Sequence, residues 1–270
     1  MTNNLNILAM EAQRGSQSAL EDLVRAIQDR VHHMAMRVLV NPDDALEATQ
    51  EILILVVTKL STFRGDSAFN TWLYRVATNY LLTAKKIADR NLNLSFEIFA
   101  ADLENGLLTD DSLPVDDVVL LNELRISCTM AMLLCLDMNH RIAYVLGDIL
   151  EFEQSEAAEI LGISKDNFRK RLSRARKSVV AFTSQRCGLA NENAKCSCPR
   201  RLPAAIAQGR VNVDRQRYTS DTAPQFTAVI EQVKGIAAEL KVLKLQTATP
   251  HFSSPQDLGA RIAQIVQGNP

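Results

Sequence analysis

The sequence predicts an all-α protein. Two helical domains are joined by an acidic linker, the second domain is a helix-turn-helix, and a helical C-terminal extension follows. Two observations carry this expectation. Apolar residues recur at three- and four-residue steps through long stretches, as on a helix that buries one face. Aromatic residues are only 5% of the 270, with 10 glycines and 8 prolines, a composition that favours helices over sheets. With 47% hydrophobic and 23% charged residues, the chain is globular in composition and long enough for one large domain or two to three small ones.

The first apolar face is Leu20, Leu23, Val24, Ile27, Val31, Met34, Ala35 and Val38. Asn41-Pro42-Asp43 ends that helix and starts the next, since Asn41 can cap and Pro42 suits a first helical position. The new helix is expected over about Asp43 to Leu60, a loop over Ser61 to Asp66, and a third helix over about Ser67 to Ala88. Residues 91–117 hold seven acids and no Lys or Arg, with apolar residues in no clear period, and read as an acidic linker. Helices follow at roughly Val118 to Leu136 and His140 to Leu150. Gln154 to Leu161 then reads as a short helix, Gly162 as a turn, Ser164 as a cap, and Lys165 to about Phe182 as a second helix. That second helix carries seven basic residues between Lys165 and Lys177 against one acid, Asp166. Past Ser184 the chain is cysteine-rich, and weaker helices are expected at about Gln225 to Leu245 and Pro255 to Val266. The domains are therefore 1–90, the linker 91–117, the helix-turn-helix 118–184 and the extension 185–270.

The net charge of −1 argues weakly against nucleic acid, but the signs are segregated along the chain. No apolar run is long enough for a membrane span, so no membrane insertion is expected. The N-terminus has no basic stretch before an apolar core and does not read as a signal peptide. Five cysteines, an odd number, then read as cytoplasmic thiols.

Three blocks carry a family resemblance. Phe63-Arg-Gly-Asp-Ser-Ala-Phe-Asn-Thr-Trp-Leu-Tyr-Arg-Val-Ala-Thr-Asn79 resembles the promoter-melting domain of extracytoplasmic-function (ECF, group IV) RNA polymerase sigma factors. Asp43-Asp-Ala-Leu-Glu-Ala-Thr-Gln-Glu51 is similar to their polymerase-binding helix. Ala157-Ala-Glu-Ile-Leu-Gly-Ile-Ser164, followed by Arg171-Leu-Ser-Arg-Ala-Arg176, is similar to their second DNA-binding domain. The order and spacing match over about two thirds of the chain, and the tail after Ser184 lies outside the pattern. The resemblance implies an alternative sigma factor with no catalytic site. It would bind core RNA polymerase, melt promoter DNA and direct initiation, with an anti-sigma factor as a further partner.

The same resemblance assigns residues. Asp44, Glu47, Gln50 and Glu51 would dock on the clamp helices of the polymerase largest subunit; the acids stand three and four residues apart and so share a helix face. Phe63 would wall a pocket for an extruded minus-ten base, Asn79 would read its edge, and Arg64, Arg75, Lys85 and Lys86 would hold phosphates. Alternatively, Phe63 and Phe69 pack and Asn79 bonds internally; Trp72 reads as core. In the basic helix, Lys165, Asn167 and Phe168 would face bases, while Arg169, Lys170, Arg171 and Arg174 would reach bases or phosphates.

No cofactor is required by this reading. Cys187, Cys196 and Cys198 are one thiolate short of a structural zinc set, so zinc or another thiolate-bound metal, a redox response, and plain reduced thiols all stand open. His140, Cys128 or Cys135 would complete a set only if the fold brings one near. Two other functions compete: a one-component helix-turn-helix regulator whose N-terminal helices dimerise, and a metal- or redox-responsive protein centred on the C-terminal cysteines. The Phe63 to Asn79 block argues against the first, and the lack of a paired base or a phosphate-binding loop against an enzyme.

Overall fold

A computed structural model of the chain describes residues 2–83, 94–107, 117–219, 223–259 and 261–262. Among them the regular elements are helices: α1 (Thr2–Gln13), α2 (Gln17–Leu39), α3 (Pro42–Thr58), α4 (Phe69–Thr83), α5 (Phe96–Glu104), α6 (Val118–Leu134), α7 (Met138–Tyr144), α8 (Gln154–Leu161), α9 (Lys165–Arg186), α10 (Cys198–Ala207), α11 (Phe226–Val233) and α12 (Ala238–Thr247). The one β-like feature among them is an isolated parallel bridge between Cys187 and Cys196. No helix among them is long and apolar enough to cross a membrane. The chain divides into two compact units, one from Met1–Asn91, Phe152–Lys170 and Phe252–Pro270, the other from Leu92–Glu151 and Arg171–His251.

In the first unit, α2 packs along α3, and α4 joins them. The expected apolar face of α2 is the buried one, from Leu23 to Val38. It is met by Ala45, Ile52, Leu53 and Val56 of α3, with Phe69, Leu73 and Leu81 of α4 also buried. Each such Leu, Ile or Val contributes about 1.5–3 kcal/mol of burial. Asn41 caps α3 as its sequence position suggests, its Oδ1 accepting from the Asp43 and Asp44 amides at 2.9 and 3.1 Å. Helix α1 supports the loop after α3. Gln13 donates to the Leu60 and Phe63 carbonyls (2.7 and 2.8 Å), and Asn6 accepts from the Phe69 amide (2.9 Å). Helix α8 lies on α4, where Thr71 donates to Glu156 (2.8 Å) and Tyr74 meets Phe152 edge-on.

The expected helix from Pro255 to Val266 is helical only from Gly259 in its described part. Residues 252–258 instead run as an extended strap against α2. The Phe252, Ser254 and Leu258 amides donate to His33 Nδ1, Asp29 and Gln28 at 2.9–3.0 Å, and Arg25 pairs with Asp257. Three backbone donors thereby find acceptors without a helix.

In the second unit, two stretches depart from expectation. Residues 96–104, inside the acidic linker, form helix α5, capped by Ser95, with Phe99 and Leu103 buried against Met132 and Phe182. Two of its three acids are answered by the extension: Asp102 pairs with Arg201 and Arg210, and Glu104 with Arg186. The expected helix from Gln225 to Leu245 is two helices, α11 and α12, separated where Gly235 takes a φ of +70°. The boundary drawn at 184/185 is not a packing boundary, because Leu202, Ala205, Val211 and Phe226 of the extension share a core with Leu120, Leu121 and Leu124 of α6. Glu123 of α6, 1% exposed, accepts the amides of Arg217, Tyr218 and Thr219.

Candidate nucleic-acid interface

Helix α3 buries Ala45, Ala48, Thr49, Ile52, Leu53 and Val56, which fill one side of the helix. Asp44, Glu47 and Gln50 are half-buried and Glu51 is exposed, all directed away from that side. The structure thus keeps the four together as one polar face.

The loop after α3 gathers three aromatic rings. Phe63 meets Phe69 edge-on at 5.3 Å and Trp72 at 5.8 Å between centroids. At 5% exposure Phe63 is therefore a packing residue, and the wall assigned to it passes to others. Beside the loop is a cavity of about 280 Å³, lined by Lys59, Thr62, Trp72, Asn79 and Tyr80 among others. Asn79 is exposed at its rim, and Trp72 is half-buried rather than core. Sequence reading missed Tyr80, Thr62 and Lys59; the step from Trp72 through Val76 to Tyr80, four and four residues, was the signal that they share a face. Arg64 is exposed. Arg75 is already engaged, donating to the Glu159 carbonyl (3.1 Å) and carboxylate (3.0 Å), because the two opposite charges face each other where α8 meets α4. It does not stand as a phosphate-holding side chain here. Lys85 and Lys86 lie outside the described residues.

The helix-turn-helix forms as its residues predict. Gly162 ends α8 at a φ of +62°, and Ser164 accepts from the Asn167 amide at 3.2 Å to open α9. Lys165, Asn167, Arg169, Lys170 and Arg174 are exposed along α9. Phe168 is a correction: it is fully buried, as its four-residue spacing to Leu172 and then Val179 places it on the core side, so it does not face bases. Arg171 is half-buried and donates to Asn139 at 3.2 Å. Arg176 grips the buried Asp148 of a π-helical turn, Val145–Ile149, through Nε at 2.8 Å, and this bond raises its pKa. Arg176 is thus structural.

The cysteines Cys187, Cys196 and Cys198 line one narrow apolar cavity, and Cys128 of α6 lines it with them. Cys135 and His140 do not. Among the described residues, no three Cys, His, Asp or Glu side chains stand closed in metal-ligating geometry.

Comparison with known proteins settles the family. Sigma-70 region 2 matches residues 23–91, and the region 4 family matches residues 127–179. The ECF RNA polymerase sigma factor SigW of Bacillus subtilis (strain 168) is 30% identical over 175 residues, covering 63% of this chain and 91% of its own length. The ECF RNA polymerase sigma-E factor of Escherichia coli (strain K12) is 32% identical over 179 residues, covering 64% and 91%. The chain belongs to the ECF RNA polymerase sigma factors. As an alternative sigma factor it directs transcription initiation. Its region 2 match holds α2 from Leu23, α3, α4 and the aromatic loop, and its region 4 match holds the C-terminal part of α6, α7, α8 and the basic half of α9. The solved structure of CnrH in complex with the cytosolic domain of CnrY is similar at TM-score 0.48 and 23% identity, covering 67% of this chain and 97% of that one. The extension that carries Cys187 to Cys198 falls outside both family matches of this sigma factor.

Proposed function

We propose that this sigma factor opens promoter DNA at the cavity beside the α3–α4 loop, while the polar face of α3 holds core RNA polymerase. The observation that carries this reading is the conjunction of Asn79 with Trp72 and Tyr80 around one cavity. Extruding a base from the stack costs a few kcal/mol. An aromatic ring recovers about 1–3 kcal/mol per stacked base, and an amide can both donate to and accept from a base edge. Phe63 and Phe69 hold Trp72 from behind, and Gln13 pins the loop backbone, so the cavity is preformed on rigid support. Exposed Lys165, Asn167, Arg169, Lys170 and Arg174 of α9 would sit on upstream duplex, the lysines and arginines mainly at phosphates. The partners of this reading are core polymerase and promoter DNA, with an anti-sigma protein as a third that would compete for these surfaces. It is the work of a cytoplasmic, non-enzymatic initiation factor.

The test separates melting from binding. Asn79→Ala and Trp72→Ala proteins should retain association with core polymerase and with promoter duplex. Their strand opening, read by permanganate reactivity of unpaired thymines, should fall about 5- to 150-fold, the equivalent of one lost stack. Trp72→Phe should restore most of it. Opening at the unchanged rate in both alanine variants would assign the base pocket elsewhere.

A further inference from the structure

We propose that Cys128, Cys187, Cys196 and Cys198 form a four-thiolate site for a single zinc ion, which clamps the extension onto α6. Cys128 stands 59 residues before Cys187 in the numbering, so no local motif announces it. The fold puts all four on one cavity. Its free space is about 40 Å³, whereas cavities for organic ligands run to roughly 300–1,000 Å³, so an ion fits and a metabolite does not.

The backbone around the cysteines is arranged for thiolates. Cys187 and Cys196 are brought abreast by the parallel bridge, with the Gly188 amide donating to the Cys196 carbonyl at 2.8 Å. A Cβ at Gly188 would come within 2.7 Å of that carbonyl oxygen, so only glycine permits this approach. The Leu189 and Ala190 amides donate to the Cys187 sulfur. Amide donors on a sulfur favour its anionic form, as the outer partners of a metal ligand do. Cys198 opens α10, a ten-residue helix whose N-terminal dipole also favours an anion.

Charge gives an independent argument. Arg125 is 2% exposed, and its guanidinium donates to neutral oxygens of Asn122, Ala248 and Pro224. Arg125 lines the same cavity as Cys198. Arg201, 1% exposed and on the same cavity, shares Asp102 with Arg210, so two cations face one carboxylate. A zinc ion with four thiolates carries two negative charges. Arg125 supplies one positive charge, and the Arg201–Arg210–Asp102 group leaves another. Zinc would displace the four thiol protons, draw together the four sulfurs, which do not yet stand in ligating geometry, and make its binding energy part of the folding energy of the extension.

The experiment uses the full chain, expressed without a metal-affinity tag and kept reduced. Zinc should be present at about one equivalent, and cobalt(II) exchanged into the site should give the intense visible bands and thiolate charge-transfer band of a tetrahedral all-sulfur site. Cys128→Ser should weaken cobalt binding by more than the roughly 10- to 100-fold that an outer-shell change costs, and Gly188→Ala should weaken it within that range. Cys135→Ser should leave stoichiometry and spectrum unchanged. Alkylation of the wild-type chain, which needs no variant to fold, should modify Cys135 first and spare the other four until zinc is chelated. Less than about a tenth of an equivalent of zinc in the reduced protein would overturn the site. So would a Cys128→Ser protein with the wild-type cobalt spectrum, or a Cys187–Cys196 disulfide as the stable form under reducing conditions.

Discussion

The Thr49 hydroxyl fixes the protonation of a histidine. It gives its proton to the Ala45 carbonyl at 2.6 Å, so at its 3.1 Å contact with His32 it can only accept, and Nδ1 of His32 carries the proton. Burial lowers the pKa of His32, against a raising influence from Asp29. The folded value is depressed, so the unfolded chain takes up the proton first as pH falls. The stability that neutral His32 contributes is complete above about 6.5 and is lost as pH drops from there through the folded value. Urea midpoints of the wild type should therefore fall between about pH 7.5 and about pH 5.5, and His32→Gln, which keeps a donor for Thr49, should flatten that fall. An equal fall in both proteins would place the acid sensitivity in another group. The same attention to partners separates two basic residues of similar appearance in the sequence: Arg176 is committed to Asp148, whereas Arg174 is exposed on α9. Only the position of Asp148 distinguishes them.

Elements whose signals are local were legible in the sequence. Asn41, Gly162 and Ser164 each act on residues within a few positions, and each does what its chemistry suggests. Gly162 gives a clean measurement, because an added Cβ would meet nothing within 4 Å and the cost is confined to its φ of +62°. Gly162→Ala should destabilise the protein by about 1–2 kcal/mol without altering the residues exposed on α9. A loss well above that, or none, would mean the turn is not held as described. Helix α5 was less legible, although Phe96, Phe99 and Leu103 stand at i, i+3 and i+7. Their acidic neighbours resembled a solvated tether, and the arginines that answer those acids lie 82 to 108 residues downstream. Helix α10 was not expected either; Pro199 lies in its first turn, where no amide is needed, and Pro203 stands inside it. Of the candidate site, the helix faces followed from spacing. The cavity behind Asn79 did not, because it depends on Phe63 packing inward and on α1 reaching the loop.

Across the whole molecule, the charge segregation that made the net charge of −1 ambiguous has a structural meaning in the second unit. Asp102 and Glu104 of α5 pair with arginines of the extension, and the leucines of α6 are covered by the extension's apolar residues. The extension up to His251 is thus packed on α6 as part of one unit, while residues 252–258 lie against α2. In the first unit the polar face of α3 turns away from the core, and Lys165, Arg169 and Lys170 are exposed on α9 beyond Gly162.

The central claim is that this chain confers promoter-specific initiation on core polymerase through the face of α3. Run-off transcription tests it most directly, with sigma-free core polymerase, genomic DNA fragments and the purified protein. The wild type should give discrete transcripts absent with core alone. The Asp44→Lys, Glu47→Lys protein, still helical by circular dichroism, should give none and should not associate with core. Discrete transcripts at wild-type yield from the charge-reversed protein, or none from the folded wild type, would contradict the account.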